Sequence, residues 1–131
     1  TSGGSDLYES HSTLIYDGTD LQVHGGDIIA FYSSDKRLKD NVTPISNPIK
    51  KILQIGGYTF DWNEKQDTYK GHDIGVIAQE VEKVLPEVVE TRENGYKAVK
   101  YQKMVPLLIE AIKDQQKQID ELKKLIENAS K

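Results

Sequence analysis

The apolar positions of the last third of the chain fall on one line. Val105, Ile112, Ile119 and Ile126 stand seven residues apart, and Leu108, Gln115, Leu122 and Ala129 occupy the complementary positions of the same repeat. A heptad stripe of this kind predicts a long helix whose seam faces another helix, a coiled coil. Pro106 fits the first turn, where its missing N–H breaks no bond. Gln115 puts one polar layer into the seam, a device that fixes register at some cost in stability. Isoleucine alternating with leucine favours two strands in parallel coils, so the stripe does not by itself specify three. The competing reading is a helix packed on its own body.

Upstream, the periods are shorter and mixed. Asn47 is a good N-cap, Pro48 suits the first helical position, and Ile49, Ile52 and Leu53 share a face before Gly56-Gly57, which predicts a short helix. Tyr58 to Trp62 alternates aromatic and polar residues, the pattern of a half-buried strand. Val76, Ile77, Val81, Val84 and Leu85 recur at helical spacing until Pro86 stops the run. Val88 to Thr91 and Tyr96 to Val99 flank Asn94-Gly95, a strong hairpin signal. The small body is therefore expected to be α+β, with a long helix behind it. In front of it, Leu14-Ile15-Tyr16, Leu21-Gln22-Val23 and Ile28-Ile29-Ala30-Phe31 are separated by Asp17-Gly18 and Gly25-Gly26, which predicts short strands joined by tight turns. These strands have little to bury unless copies from several chains pack together. Thr1 to Ser5 read as a flexible leader.

Composition narrows the classes. A chain of 131 residues with 37% apolar and 29% charged residues suits one modest domain plus an extended helix rather than a thick core. The net charge of −4, with lysines interleaved among acids, argues against a nucleic-acid partner. Cysteine is absent, which removes disulfides, thiolate metal sites and a cysteine nucleophile together. Neither a membrane-length apolar run nor a basic-then-apolar N-terminus is present, so the chain reads as soluble and untargeted.

Four ordered pieces carry a resemblance: Ser34-Asp35-Lys36-Arg37-Leu38-Lys39, the strand Tyr58-Thr59-Phe60-Asp61-Trp62, the run from Gly75-Val76-Ile77-Ala78-Gln79-Glu80 to Val89, and the run from Tyr96 to Ile112. Together they resemble the C-terminal intramolecular chaperone domain of endosialidases, phage tail fibres and neck appendages, over about Ser34 to Ala129. The resemblance implies a homotrimer, with Val105, Leu108, Ile112, Gln115, Ile119, Leu122 and Ile126 in its coiled coil. It implies residues 1–33 as the end of a parent fibre or tailspike, 34–103 as the chaperone body and 104–131 as the coil. It also implies a function: trimerising and folding that fibre in the host cytoplasm, then releasing the chaperone fragment by cutting Ser33–Ser34. In the family the serine is the nucleophile and the lysine five positions later the general base, which carries over to Ser34 and Lys39. The partners so implied are other copies of the chain and the fibre ahead of it, with no cofactor, nucleic acid or membrane.

The chemistry is coherent on its own terms. A serine needs a base beside it, and a lysine serves only once its proton has been stripped. That requires a fall of about three units from a reference pKa of ~10.4, roughly 4 kcal/mol of unfavourable environment, which a closed interface between chains would supply and a solvated loop would not. The Ser34 hydroxyl can reach the preceding carbonyl through a five-membered ring, an arrangement in which proximity replaces much of the barrier. Apart from the family, a serine and a lysine five apart are commonplace and read as a helix cap followed by a solvated charge. Ser33 offers a second hydroxyl, one residue further from Lys39. His11, His24 and His72 lack metal-ligand spacing, and no Ser-His-Asp site or metal site is expected. Asp61, Glu80 and Glu82 read as a solvated face or as partners of lysines on other chains. The glycines form no phosphate loop, because no Gly-Lys-Ser/Thr follows them. Two rival readings are a structural trimerisation domain that never cleaves and, ranked lower, the self-cleaving domain of a membrane-bound transcription factor. The latter expects a membrane span beyond the domain, which is not seen before Lys131.

Overall fold

The computed structural model describes residues 13–131, so the leader at Thr1 to Ser5 and His11 lie outside the described residues. Packing divides the chain after Val42 into two compact units.

The first unit holds one hairpin, β1 (Leu14–Tyr16) and β2 (Leu21–Val23), antiparallel with Ile15 opposite Gln22. Its turn is built by Asp17, whose carboxylate accepts the Asp20 amide at 2.7 Å and the Thr19 amide at 2.9 Å. Those two N–H groups hold the Asp17 carboxyl below the usual carboxylate range. Gly18, at φ +97°, takes the left-handed position that the turn needs. The strand expected at Ile28 to Phe31 does not form: the chain runs without regular structure from His24 to Asp35, and Phe31 is 93% exposed. The reason is physical. A strand is held by cross-strand and same-face neighbours, and no described residue of this unit is buried to provide them.

The second unit is α+β, as the periodicities predict. α1 (Pro48–Ile52) is followed by β3 (Tyr58–Asp61) and β4 (His72–Gly75), then by α2 (Ala78–Val84) and a 3-10 turn at Pro86–Val88. β5 (Val89–Thr91) and β6 (Lys97–Val99) come next, then a second 3-10 turn at Tyr101–Met104 and the 25-residue α3 (Val105–Ala129). The described strands pair as three separate antiparallel ribbons: β1 with β2, β3 with β4 and β5 with β6. Asn47 precedes α1 as expected but caps it differently. It sits at φ +48°, its side chain makes no capping bond, and its carbonyl accepts the Lys51 amide at 3.1 Å. α2 starts two residues later than its apolar spacing suggests, because Val76 and Ile77 stay outside the helix, Ile77 being extended at its N-cap. The β5–β6 connection is Glu93-Asn94-Gly95 rather than a two-residue turn. The Gly95 amide reaches the Arg92 carbonyl at 2.8 Å and Gly95 sits at φ +86°, the three-residue hairpin form.

Val81, Leu85, Val88 and Leu107 form the core, ringed by Ile45, Ile52, Ile55, Val76, Val84, Val89, Val99 and Met104. α3 enters this core through Leu107 and Ala111 and packs along α1. Its heptad stripe lies elsewhere: Val105, Leu108, Ile112, Ile119, Leu122 and Ile126 are each between 46% and 69% exposed, and Gln115 is exposed with them. The helix does pack on its own body, but with a different face, and that packing leaves the stripe uncovered. From Gln115 to Ala129 every residue is exposed.

Candidate active site

Ser34 and Lys39 are brought together by a 3-10 turn at Lys36–Leu38. Asp35 stands at its N-cap in an extended conformation, the Asp35 carbonyl accepts the Leu38 amide at 3.0 Å, and the Lys36 carbonyl accepts the Lys39 amide at 3.2 Å. This single tight turn reverses the chain, and Lys39 Nζ donates to Ser34 Oγ at 2.8 Å. The contact puts Nζ where a neutral lysine would accept the hydroxyl proton. Both residues are exposed.

Asp35 is the most connected side chain of the turn. Its carboxylate accepts the Arg37 amide at 2.8 Å and, in a fork, Arg37 Nε at 3.1 Å and Nη2 at 3.0 Å. The Arg37 guanidinium first, and the Arg37 amide after it, hold the Asp35 carboxyl below its usual range, and Asp35 in turn raises Arg37. Sequence reasoning passed over this pair. An aspartate one residue ahead of a short turn is a recognisable cap signal, but it stood between two more conspicuous residues.

The other pieces of the resemblance serve the second unit's framework. A Cβ on Gly75 would lie 2.6 Å from Tyr101 Oη, which itself accepts the Val76 amide at 3.1 Å. Gly75 and Tyr101 thereby join two of the recognised runs at one point. Glu80 accepts the Gly56 amide at 2.9 Å and the Tyr58 hydroxyl at 2.8 Å, and that hydrogen bond from the hydroxyl, ahead of desolvation and the charge of Glu80, holds the Tyr58 phenol above its usual range. Gly56 leaves room for the Tyr58 ring, which any Cβ there would strike. Glu82 pairs with Lys97 at 2.9 Å, and Lys97 also donates to Thr91 at 2.9 Å. Asp61 meets His72 at 2.8 Å. The three acids expected on a solvated face or against other chains thus each have a partner within the chain. Trp62 donates to Asp73 at 2.9 Å and stacks on Tyr69 with ring centroids 4.9 Å apart. The His24 ring meets Gln22 Oε1 at 3.0 Å, and the His24 amide donates to the Thr13 carbonyl at 2.7 Å. Among the described residues no three His, Cys, Asp or Glu side chains gather as a metal site, and no helix is long and apolar enough to cross a membrane.

Residues 34–90 match the family model described as chaperone of endosialidase, with Ser34 as the first matched residue. Over this segment the chain is similar to the chaperone of endosialidase family. The chain is also similar to long tail fiber protein Gp37 of Salmonella phage S16, 38% identical over 131 residues and 92% of this chain. Its similarity to the Gp37 proteins of Enterobacteria phages Ox2 and K3 is 33% over 89% of the chain and 34% over 70% of it. The chain spans 18% of the S16 protein, 48% of the Ox2 protein and 8% of the K3 protein.

Proposed function

We propose that the chain is the C-terminal chaperone of a phage tail fibre, which aligns three copies through the α3 stripe, lets the fibre ahead of it fold, and then frees itself at Ser33–Ser34. The observation that carries the cleavage is the 2.8 Å contact between Lys39 Nζ and Ser34 Oγ at the start of the family match. In the step, neutral Lys39 takes the hydroxyl proton while Oγ bonds to the Ser33 carbonyl carbon. The C–N bond then breaks, and the proton passes to the departing Ser34 nitrogen. Water next hydrolyses the resulting ester, leaving a Ser33 carboxylate and a free Ser34 amine and hydroxyl. Because both side chains are exposed in the single chain, the lysine awaits desolvation by neighbouring copies, which makes cutting conditional on assembly. The role before cutting is entropic. Interleaved fibre strands pair slowly and expose aggregation-prone edges, whereas a helical stripe brings chains into register first. Severing the chaperone afterwards leaves the fibre kinetically trapped.

The full-length chain, incubated and analysed by intact mass and N-terminal sequencing, is expected to yield a new N-terminus at Ser34. Ser34→Ala, Lys39→Ala and Lys39→Arg are expected to stay whole and assembled, arginine because it keeps its proton at any workable pH. Cutting of Lys39→Arg at the native rate removes lysine as the base. The exposure of both residues favours one second reading, a trimerisation domain that never cleaves, and an intact native mass after assembly selects it.

A further inference from the structure

We infer that Asp35 is the positioning residue of the Ser34–Lys39 pair, fixing the turn that returns Lys39 to Ser34 without touching the scissile carbonyl. The inference rests on the cleavage reading above. A 3-10 turn of three residues has poor hydrogen-bond geometry and little stability of its own. Here it has no help from packing, since Lys36, Arg37 and Leu38 are all exposed and the turn contains no buried residue. What closes it is polar and local, and most of it converges on Asp35. The carboxylate accepts three N–H groups of Arg37, and the Asp35 carbonyl accepts the Leu38 amide that closes the turn.

The parts of this clamp are unequal. An exposed ion pair contributes little in water, whereas a capping acceptor for an otherwise orphaned amide contributes substantially. Amide-for-acid replacement keeps an oxygen acceptor and loses only the charge, so Asp35→Asn separates the two. Asp35→Ala is expected to slow first-order cleavage roughly five- to tenfold. Asp35→Asn is expected to restore the rate to within about twofold, and Arg37→Ala to lower it about twofold, as an exposed pair would. The pH midpoint of the rate and the melting of the assembled chain are expected to stay unchanged in all three, because the turn is reset without altering the lysine's surroundings or the core.

The experiment compares native chain, Asp35→Ala, Asp35→Asn and Ser34→Ala. If the native chain cuts, Ser34→Ala does not, and Asp35→Ala cuts at the native rate or shifts the pH midpoint, positioning by Asp35 is overturned while the dyad stands. Amide hydrogen exchange at Leu38 and Lys39 in the uncut Ser34→Ala background supplies a readout independent of cleavage. Adding Asp35→Ala there is expected to speed exchange at those two amides about fivefold with no change at Val81 or Leu107. Unchanged exchange overturns the inference even if the bond is never cut.

Discussion

The two units solve opposite problems with similar residues. Residues 43–131 enclose Val81, Leu85, Val88, Leu107 and Ala111, all the buried apolar side chains among the described residues. Residues 13–42 bury none, although they contain Ile28, Ile29, Phe31 and Tyr32 in a row that needs only a neighbour to pair with. The second unit closes over its own core with elements read from local periodicity. The first unit holds the candidate chemistry on a turn made by one carboxylate, and none of its described apolar residues is buried. A folded framework and an unsatisfied segment in one polypeptide is what an assembly device requires: one part is stable enough to organise, and the other is left available to be organised.

The contrast is sharpest within α3, where Leu107 and Ala111 are buried on one face and the heptad stripe is exposed on another. Ile112→Asp with Ile119→Asp is expected to abolish assembly in light scattering while the monomer keeps its cooperative unfolding, because single surface changes of this kind typically stay within about 0.5 kcal/mol. Persistent oligomers in the double variant would show that the stripe is not the interface. On the other face, Leu107→Ala is expected to cost about 2–5 kcal/mol in urea unfolding, as a fully buried leucine does. Gly75→Ala is expected to cost about 1–3 kcal/mol through overpacking against Tyr101. The penalty should shrink in a Tyr101→Phe background, since the next Tyr101 atom lies 3.8 Å from the added carbon. Additive costs would place the strain elsewhere. The smallest effect is acidic. The Trp62 indole N–H, with the Ile74 amide, holds the Asp73 carboxyl below its usual range. Its stabilising contribution is therefore complete above the unfolded carboxylate value of ~3.9 and is lost as pH falls through the lower folded value. Emission of the single tryptophan should change below about pH 4 and lose that change in Asp73→Asn.

The sequence made the framework legible because its cues are local and redundant. Pro48 marks the start of α1 and Pro86 the end of α2, Asn94-Gly95 marks the β5–β6 hairpin, and the seven-residue spacing marks α3. The apolar run Ile28 to Phe31 misled because strand formation depends on a partner that local pattern does not contain. Asn47 misled in a smaller way, since a left-handed backbone turns its side chain away from the capping role that its residue type favours. At the site, Ser34 and Lys39 were legible only through resemblance, and their approach across the turn became visible only once Asp35 and Arg37 were in place. Spacing of five alone cannot distinguish a chain that doubles back from one that runs on.

On the proposed assembly, the exposed end of α3 makes the molecule a gauge of its own concentration. Residues 115–129 form a helical segment with no buried side chain, and a helix of about that length is marginal in water. Whatever covers its stripe adds to its helicity, so far-ultraviolet ellipticity should rise with chain concentration while the core around Leu107 stays constant. On the proposed function, cutting within an assembled particle is first order and the meeting of chains is not, so a dilution series is expected to separate the two in time.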